Sequence, residues 1–210
     1  MEKEKILIQK IKEYKTREFE DELAVEKQVC ISLKNGAQIL ATCTPSNVEE
    51  LILGKRYLAG DLEFAEKSAE TALREVSLSE IFRIARDSFE NPGPLFVETG
   101  CAHSCALVHE GTVVCCIEDI GRHNALDKVI GYALKNQISL KNSYIFTSGR
   151  ISGDYLQKVI AAGIPMAVSR AAVTANAVAL ARQEHVTMLG FIRKDSGNLY
   201  HEGSVKILEA

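Results

Sequence analysis

No stretch of the 210 residues approaches the eighteen or more consecutive apolar residues of a membrane-spanning helix. There is no excess of basic charge either. Lys and Arg total 25 against 28 Asp and Glu, and the net charge of −3 lacks the electrostatic footprint of a duplex nucleic-acid binder. The opening "MEKEKILIQKIKEYK" interrupts its apolar residues with charges, so it lacks the continuous apolar run of a secretory signal. The expectation is a cytoplasmic protein without membrane or nucleic-acid partners, in a compartment where thiols stay reduced. No C-x-x-C pair occurs anywhere, which removes the commonest zinc-ligand spacing. What is present is an ordinary globular balance, 46% hydrophobic and 25% charged residues. Within it, four of the six cysteines are crowded between positions 101 and 116.

The organisation divides near Pro92. Residues 1–20 read as a helical or frayed arm. "VEKQVCISLKNGAQILATCTP" reads as a β-hairpin whose Asn35-Gly36 turn supplies positive backbone angles, with Pro45 closing the second strand. A helix follows in "TPSNVEELILGKRYLAG", with Thr44 or Ser46 as N-cap, and then a charged connection with some helix in "DLEFAEKSAETALREVS". "SLSEIFRIARDSFE" is an amphipathic helix stopped by Asn91-Pro92-Gly93-Pro94. Beyond it a hairpin turning at Glu110-Gly111 leads into strands that alternate with helices of 12 to 15 residues, the signature of βαβ units. The expected architecture is α/β: a small N-terminal α+β subdomain over 1–92 and an α/β domain over 93–210.

Sheets of this kind bind ligands beyond the carboxyl ends of their strands. Three polar turns fall there: "EDIGRHN", "TSGRIS" and "SRAAVTAN". Arg122, His123 and Asn124 in the first, and Ser148, Gly149 and Arg150 in the second, sit where helix N-terminal N–H groups are open to an anion. Capping and local ion pairing explain either turn alone; two turns with arginines on one rim favour phosphate. "FIRKDSGN" adds Arg193 and Lys194 after the last strand, and the set suggests a polyanionic small molecule. A zinc site built from His103, Cys105, Cys115, Cys116 and His123 fails on geometry, because adjacent strand residues point to opposite faces. The zinc deaminase signature is also missing from the two helix starts "GRHNA" and "SGRIS". Cys30, Cys43, Cys115 and Cys116 read as small strand residues. Cys101 and Cys105 flank His103 in a glycine-containing loop, where an imidazole can favour a thiolate; buried packing is the competing explanation.

The runs "FVETGCAHSCAL", "EDIGRHNALDKVIG", "TSGRIS", "AAGIP" and "LGFIRKDSGNLY" resemble, in order, the motifs of the formate dehydrogenase accessory protein family, FdhD/NarQ. The resemblance spans residues 25–60 and 94–202. It implies a cytidine-deaminase-like three-layer α/β/α sandwich without the zinc, and a homodimer. It also implies a sulfurtransferase role: sulfur taken from a cysteine desulfurase passes to the molybdenum or tungsten bis-guanine-dinucleotide cofactor of an apo formate dehydrogenase. The turn Phe191, Ile192, Arg193, Lys194, Asp195 and Ser196 matches the family's cofactor-binding turn, and a guanine nucleotide would mimic that cargo. One departure is plain. The family's C-G-x-C-G loop, whose first cysteine bears the persulfide, has no counterpart in "YLAGDLEFAEKSAETALREVSLSEIF". Cys101 and Cys105 stand where the family has small residues, which suggests a relocated sulfur-carrying pair beside His103. The alternatives are a cofactor-binding chaperone without sulfur transfer, or a zinc hydrolase related to deaminases.

Overall fold

The computed structural model describes residues 3–64 and 72–209. Residues 65–71, within the connection expected to hold some helix, lie outside the described residues. The chain opens not with a helical arm but with a β-hairpin, β1 (Lys3–Lys12) and β2 (Lys15–Ala24), paired in full antiparallel register. Its two-residue turn places Glu13 and Tyr14 at φ 51° and 62°, the arrangement that Asn-Gly normally serves. Non-glycine residues accept that conformation at about 1–2 kcal/mol each. With neither Asn nor Gly between the strands, the local sequence carries no hairpin signal.

The second hairpin, β3 (Lys27–Ser32) and β4 (Gln38–Cys43), forms where expected. At its turn only Gly36 takes a positive φ, 84°; the Asn35 side chain instead accepts the Ala37 N–H at 2.9 Å. Helix α1 (Val48–Leu58) starts at Asn47, in the left-handed region and without a side-chain cap, rather than at Thr44 or Ser46. The Thr44 hydroxyl is engaged elsewhere, with Lys128. After β5 (Glu75–Ser77) comes α2 (Leu78–Glu90), capped by Ser77 Oγ, which accepts the Glu80 N–H. A short helix unforeseen in the sequence, α3 (Pro94–Thr99), begins with proline in its first turn.

The central sheet has six strands: β6 (His103–His109), β7 (Thr112–Asp119), β8 (Ser143–Thr147), β9 (Met166–Ser169), β10 (Thr187–Gly190) and β11 (Asn198–His201), in the order β11-β10-β9-β8-β6-β7. The alternating helices are α4 (Arg122–Lys135), α5 (Gly153–Ala161) and α6 (Ala175–Gln183), and β12 (Lys206–Leu208) pairs in parallel with β5. On one face Leu126, Val129 and Ile130 of α4, Leu156 and Val159 of α5 and Ala177 and Ala181 of α6 meet Cys105, Leu107 and Ile145. On the other, Ile81, Ile84 and Ala85 of α2, with Val76 and Val205, cover Val108, Phe146 and Val168. Each large side chain so buried contributes about 1.5–3 kcal/mol. These are the three layers expected of an α/β/α sandwich. Helix α2, from the N-terminal side of Pro92, supplies one of them, fastened by Tyr144 Oη donating to Glu80 Oε1 at 2.8 Å.

Helix α1 lies on α4 with almost no space between backbones. A Cβ added at Gly131 would stand 1.8 Å from the Glu50 carbonyl oxygen, and one at Gly54 1.9 Å from that of Asp127. Only glycine admits this approach, which brings the N-terminal hairpin β3–β4 against the start of α4. Among the described residues no helix is long and apolar enough to cross a membrane.

Candidate functional site

Strands β8, β9 and β10 are mutually parallel, while β6 runs antiparallel to both β7 and β8. The carboxyl ends of β7, β8, β9 and β10 therefore share one rim with the amino end of β6. All three polar turns, the 191–196 turn and the Cys101–Ser104 entrance lie along it. A cavity of about 370 Å³ opens there, lined by Cys101, His103, Ser104, Ser148 and Arg170 and walled by Phe96, Glu118 and Ile120.

Helix α3 delivers Cys101 to this cavity. Glu118 accepts the N–H groups of Leu95 and Phe96 at 2.9 and 3.0 Å, satisfying the helix start with a carboxylate. At the other end Gly100 takes φ 66°, and Cys101 donates its N–H to Thr99 Oγ1 at 3.1 Å. Cys101 is exposed. His103 begins β6 opposite Asp119 and is half-buried; burial first, then the charges of Arg122 and Arg150, hold its imidazole below the ordinary histidine value.

Cys105 corrects the expected sulfur pair. Its side chain has no exposure, it pairs with Thr147 and Ile117 inside the sheet, and Tyr155 Oη donates to its Sγ at 3.7 Å. Burial pushes its thiol far above the ordinary range, so it cannot exchange with Cys101 while the core is closed. Cys115 is likewise pushed up, to about 12, by burial. Cys115 packs against the helical core cluster while Cys116 is exposed, as adjacent strand residues must. Among the described residues no three His, Cys, Asp or Glu side chains are grouped to hold a metal ion.

The first turn is pinned before it can bind anything. Gly121 donates its N–H to Asp119 Oδ1 at 2.8 Å. Asn124, expected at the cofactor, gives its amide to the Thr42 carbonyl at 2.7 Å and to Asp119 Oδ1 at 3.2 Å, tying α4 to β4. Arg122 lies against Gly149, where an added Cβ would meet Arg122 Cβ at 2.9 Å. Its Nη2 reaches Ser152 Oγ at 3.4 Å, and its buried Nε has no hydrogen-bond partner among the described residues. His123 Nε2 stands 3.3 Å from Asp154 Oδ2 and edge-on to Tyr155. Burial, then Lys158 and Arg122, lower its pKa.

In the second turn Ser148 Oγ accepts the Ser104 N–H at 2.9 Å, and Gly149 donates its N–H to Thr147 Oγ1 at 3.1 Å, leaving Arg150 exposed. The third turn contributes Arg170, a site residue not among those expected from the sequence. Its N–H bonds the Thr147 carbonyl at 2.9 Å, and its pKa is lowered by burial and then by Arg193. The charge of Arg193, in the 191–196 turn, is thus felt at Arg170 on the cavity wall. Phe191 has φ 53° and donates to the Ala171 carbonyl; Arg193 N–H closes the turn on the Ser196 carbonyl at 2.7 Å. Lys194, Asp195 and Ser196 are exposed, whereas Ile192 is buried against the α2 face and serves as the turn's anchor rather than a ligand contact. The signal for Arg170 was in the sequence: "SRA" repeats the polar-then-arginine order of "SGR" at the next strand end.

Residues 55–206 match the model of the FdhD/NarQ family. The sulfur carrier protein FdhD of Wolinella succinogenes is 40% identical over 134 residues, which are 63% of this chain and 46% of that protein. That of Listeria monocytogenes is 33% identical over 165 residues, 79% of this chain and 60% of that protein. Against the Bacillus subtilis FdhD the identity is 26% over 233 positions, covering 86% and 88%. That alignment is longer than this chain, so the relative carries segments absent here. The chain thus spans about half the length of several curated relatives that it matches. A crystal structure described as a candidate formate dehydrogenase accessory protein from Desulfotalea psychrophila superposes with a TM-score of 0.81 at 26% identity, covering 95% of this chain and 96% of that one. The chain belongs to the FdhD/NarQ family.

Proposed function

We propose that this chain is a sulfur carrier for the maturation of formate dehydrogenase. It accepts sulfur from a cysteine desulfurase on Cys101 and hands it to the molybdenum or tungsten bis-guanine-dinucleotide cofactor of the apo enzyme. The observation that carries the reading is an exposed thiol on the wall of a cavity at the sheet rim that Arg170 also lines. The Cys101 thiolate attacks the outer sulfur of the desulfurase persulfide, the donor's S–S bond breaks, and the donor cysteine leaves as thiolate. No net oxidation occurs. His103 lines the same cavity, its pKa lowered by burial and by Arg122 and Arg150, and is the base we assign to the Cys101 proton. Arg170, Arg193 and Arg150 face the phosphates of the cargo, for which GDP is the simplest stand-in. We place the protein in the cytoplasm as a homodimer on family grounds.

The burial of Cys105 favours a second reading, a cofactor-binding chaperone without sulfur chemistry, because it leaves Cys101 without a companion thiol on the cavity wall. Two measurements test the assignment. Formate dehydrogenase activity in a host lacking its own accessory protein is expected to return with the wild-type chain and not with Cys101→Ala; restoration by both supports the chaperone. Calorimetry with GDP is expected to show binding weakened about tenfold or more in Arg170→Ala, the loss of a charge-assisted contact. Equal affinity removes Arg170 from the site.

A further inference from the structure

Strands β1 and β2 pair over ten residues each, roughly 30 Å of ladder at about 3.3 Å per residue. Their base rests on α3, where Lys3 Nζ lies 2.9 Å from Glu98 Oε2. Strand alternation sorts the charges of this arm onto two faces. Lys10 opposes Arg17 and Lys12 opposes Lys15, so four cations project from one face of the distal end. Glu18, Glu20 and Glu22 emerge on the other face, where Lys5 and Lys3 neutralise Glu20 and Glu22 at 2.8 and 2.7 Å. Among the described residues none of the four distal cations meets a carboxylate; Lys10 instead lies 4.1 Å from the Phe19 ring centroid. At the tip, Tyr14 is fully exposed in a left-handed turn that a tyrosine adopts only under strain, and Ile11 is 75% exposed.

We propose that the distal end of this hairpin is a docking arm for an acidic patch on a folded partner protein. A cluster of four unneutralised cations on a chain of net charge −3 is a local steering field for carboxylates. Tyrosine and arginine are the residues that anchor protein interfaces. A nucleic acid fits worse, because a polyanion wrapping the arm meets the Glu18 carboxylate, which no lysine pairs among the described residues, whereas a protein patch touches the cationic face alone. The arm is rooted on α3, the helix that ends next to Cys101. Naming the apo dehydrogenase as that partner rests on the sulfur-carrier reading; the acidic chemistry of the partner does not.

The test measures binding of the full chain to the cognate apo formate dehydrogenase, to poly-L-glutamate and to a single-stranded RNA of equal charge, across a salt series. The comparison is with Lys10→Gln/Lys12→Gln/Lys15→Gln/Arg17→Gln and with the milder Lys12→Gln/Lys15→Gln, each checked for an unchanged unfolding midpoint. The expected result is wild-type binding to the dehydrogenase and to polyglutamate that weakens with salt, and a loss of about tenfold or more in the fourfold variant. Binding of polyglutamate lost in the variant, with no dehydrogenase binding by either protein, upholds the arm and removes the partner's identity. Equal binding of polyglutamate by wild type and both variants overturns the proposal, as does RNA held more tightly than polyglutamate through the same four residues.

Discussion

Lys128 Nζ stands 2.7 Å from Asp119 Oδ2, and neither side chain has any exposure. Thr44 completes the arrangement, its hydroxyl and N–H both 3.1 Å from the same carboxylate oxygen. The pair joins the end of β7, the first turn of the rim and the strand β4 that lies beside them. A paired buried charge is costly to orphan, at about 3–5 kcal/mol when one partner is removed. Lys128→Met is therefore expected to lower the unfolding free energy by that amount in urea titrations. The double variant Lys128→Met/Asp119→Leu should recover part of the loss. A single variant as stable as wild type contradicts the role given to this pair.

The contact between α1 and α4 offers a second check. At Gly131 a methyl group meets a backbone carbonyl that cannot rotate away. Gly131→Ala is expected to destabilise the fold by about 1–3 kcal/mol despite alanine's better helix propensity. A thermal midpoint equal to wild type would show that the two helices are less closely seated.

Much of this architecture is legible in the chain before any coordinates. The alternation after residue 103, the Asn35-Gly36 and Glu110-Gly111 hairpins and the amphipathic α2 all carry local signals, and all form. The misses have local causes too. Strands β1 and β2 turn on Glu13-Tyr14, which lack the residues that mark such turns. Helix α3 has six residues and hides behind a Pro-Gly-Pro sequence. The three-residue strands β5 and β12 pair across more than a hundred positions, too far apart to read from local pattern. At the site, the spacing suggests a Cys101–Cys105 pair, but Cys101 lies in the loop before β6, whereas Cys105 sits within the strand, shares a face with Leu107 and belongs to the core. The position of Leu107 two residues on was the available warning.

Thiol reactivity follows from that separation. Under native conditions iodoacetamide is expected to modify Cys101, while Cys105 and Cys43, both buried and both with raised pKa, react only after unfolding. Native labelling of Cys105 at a rate like that of Cys101 would mean that the core opens readily and would restore the paired-thiol mechanism.

The rim histidines set a pH dependence with a definite sign. His103 and His123 are both held below their ordinary value, first by burial and then by neighbouring cations. Between that lowered value and the ordinary value of about 6.5, the unfolded chain binds protons that the folded chain refuses. Stability is thus fully present above about 6.5 and declines as pH falls toward the folded-state values. His103→Gln should flatten part of this slope in unfolding midpoints taken from pH 7 to pH 5. An unchanged slope would show that His103 is not held neutral by its surroundings.

The most direct measurement of the central claim is the intact mass of the protein after incubation with a cysteine desulfurase and cysteine. The wild-type chain is expected to gain one sulfur atom, located on Cys101 by peptide mapping and removed by reductant. Cys30→Ala and Cys116→Ala, which alter the other exposed thiols, should load as wild type does, and Cys101→Ala should gain nothing. Uptake of one sulfur by Cys101→Ala, or none by the wild-type chain, would contradict the account.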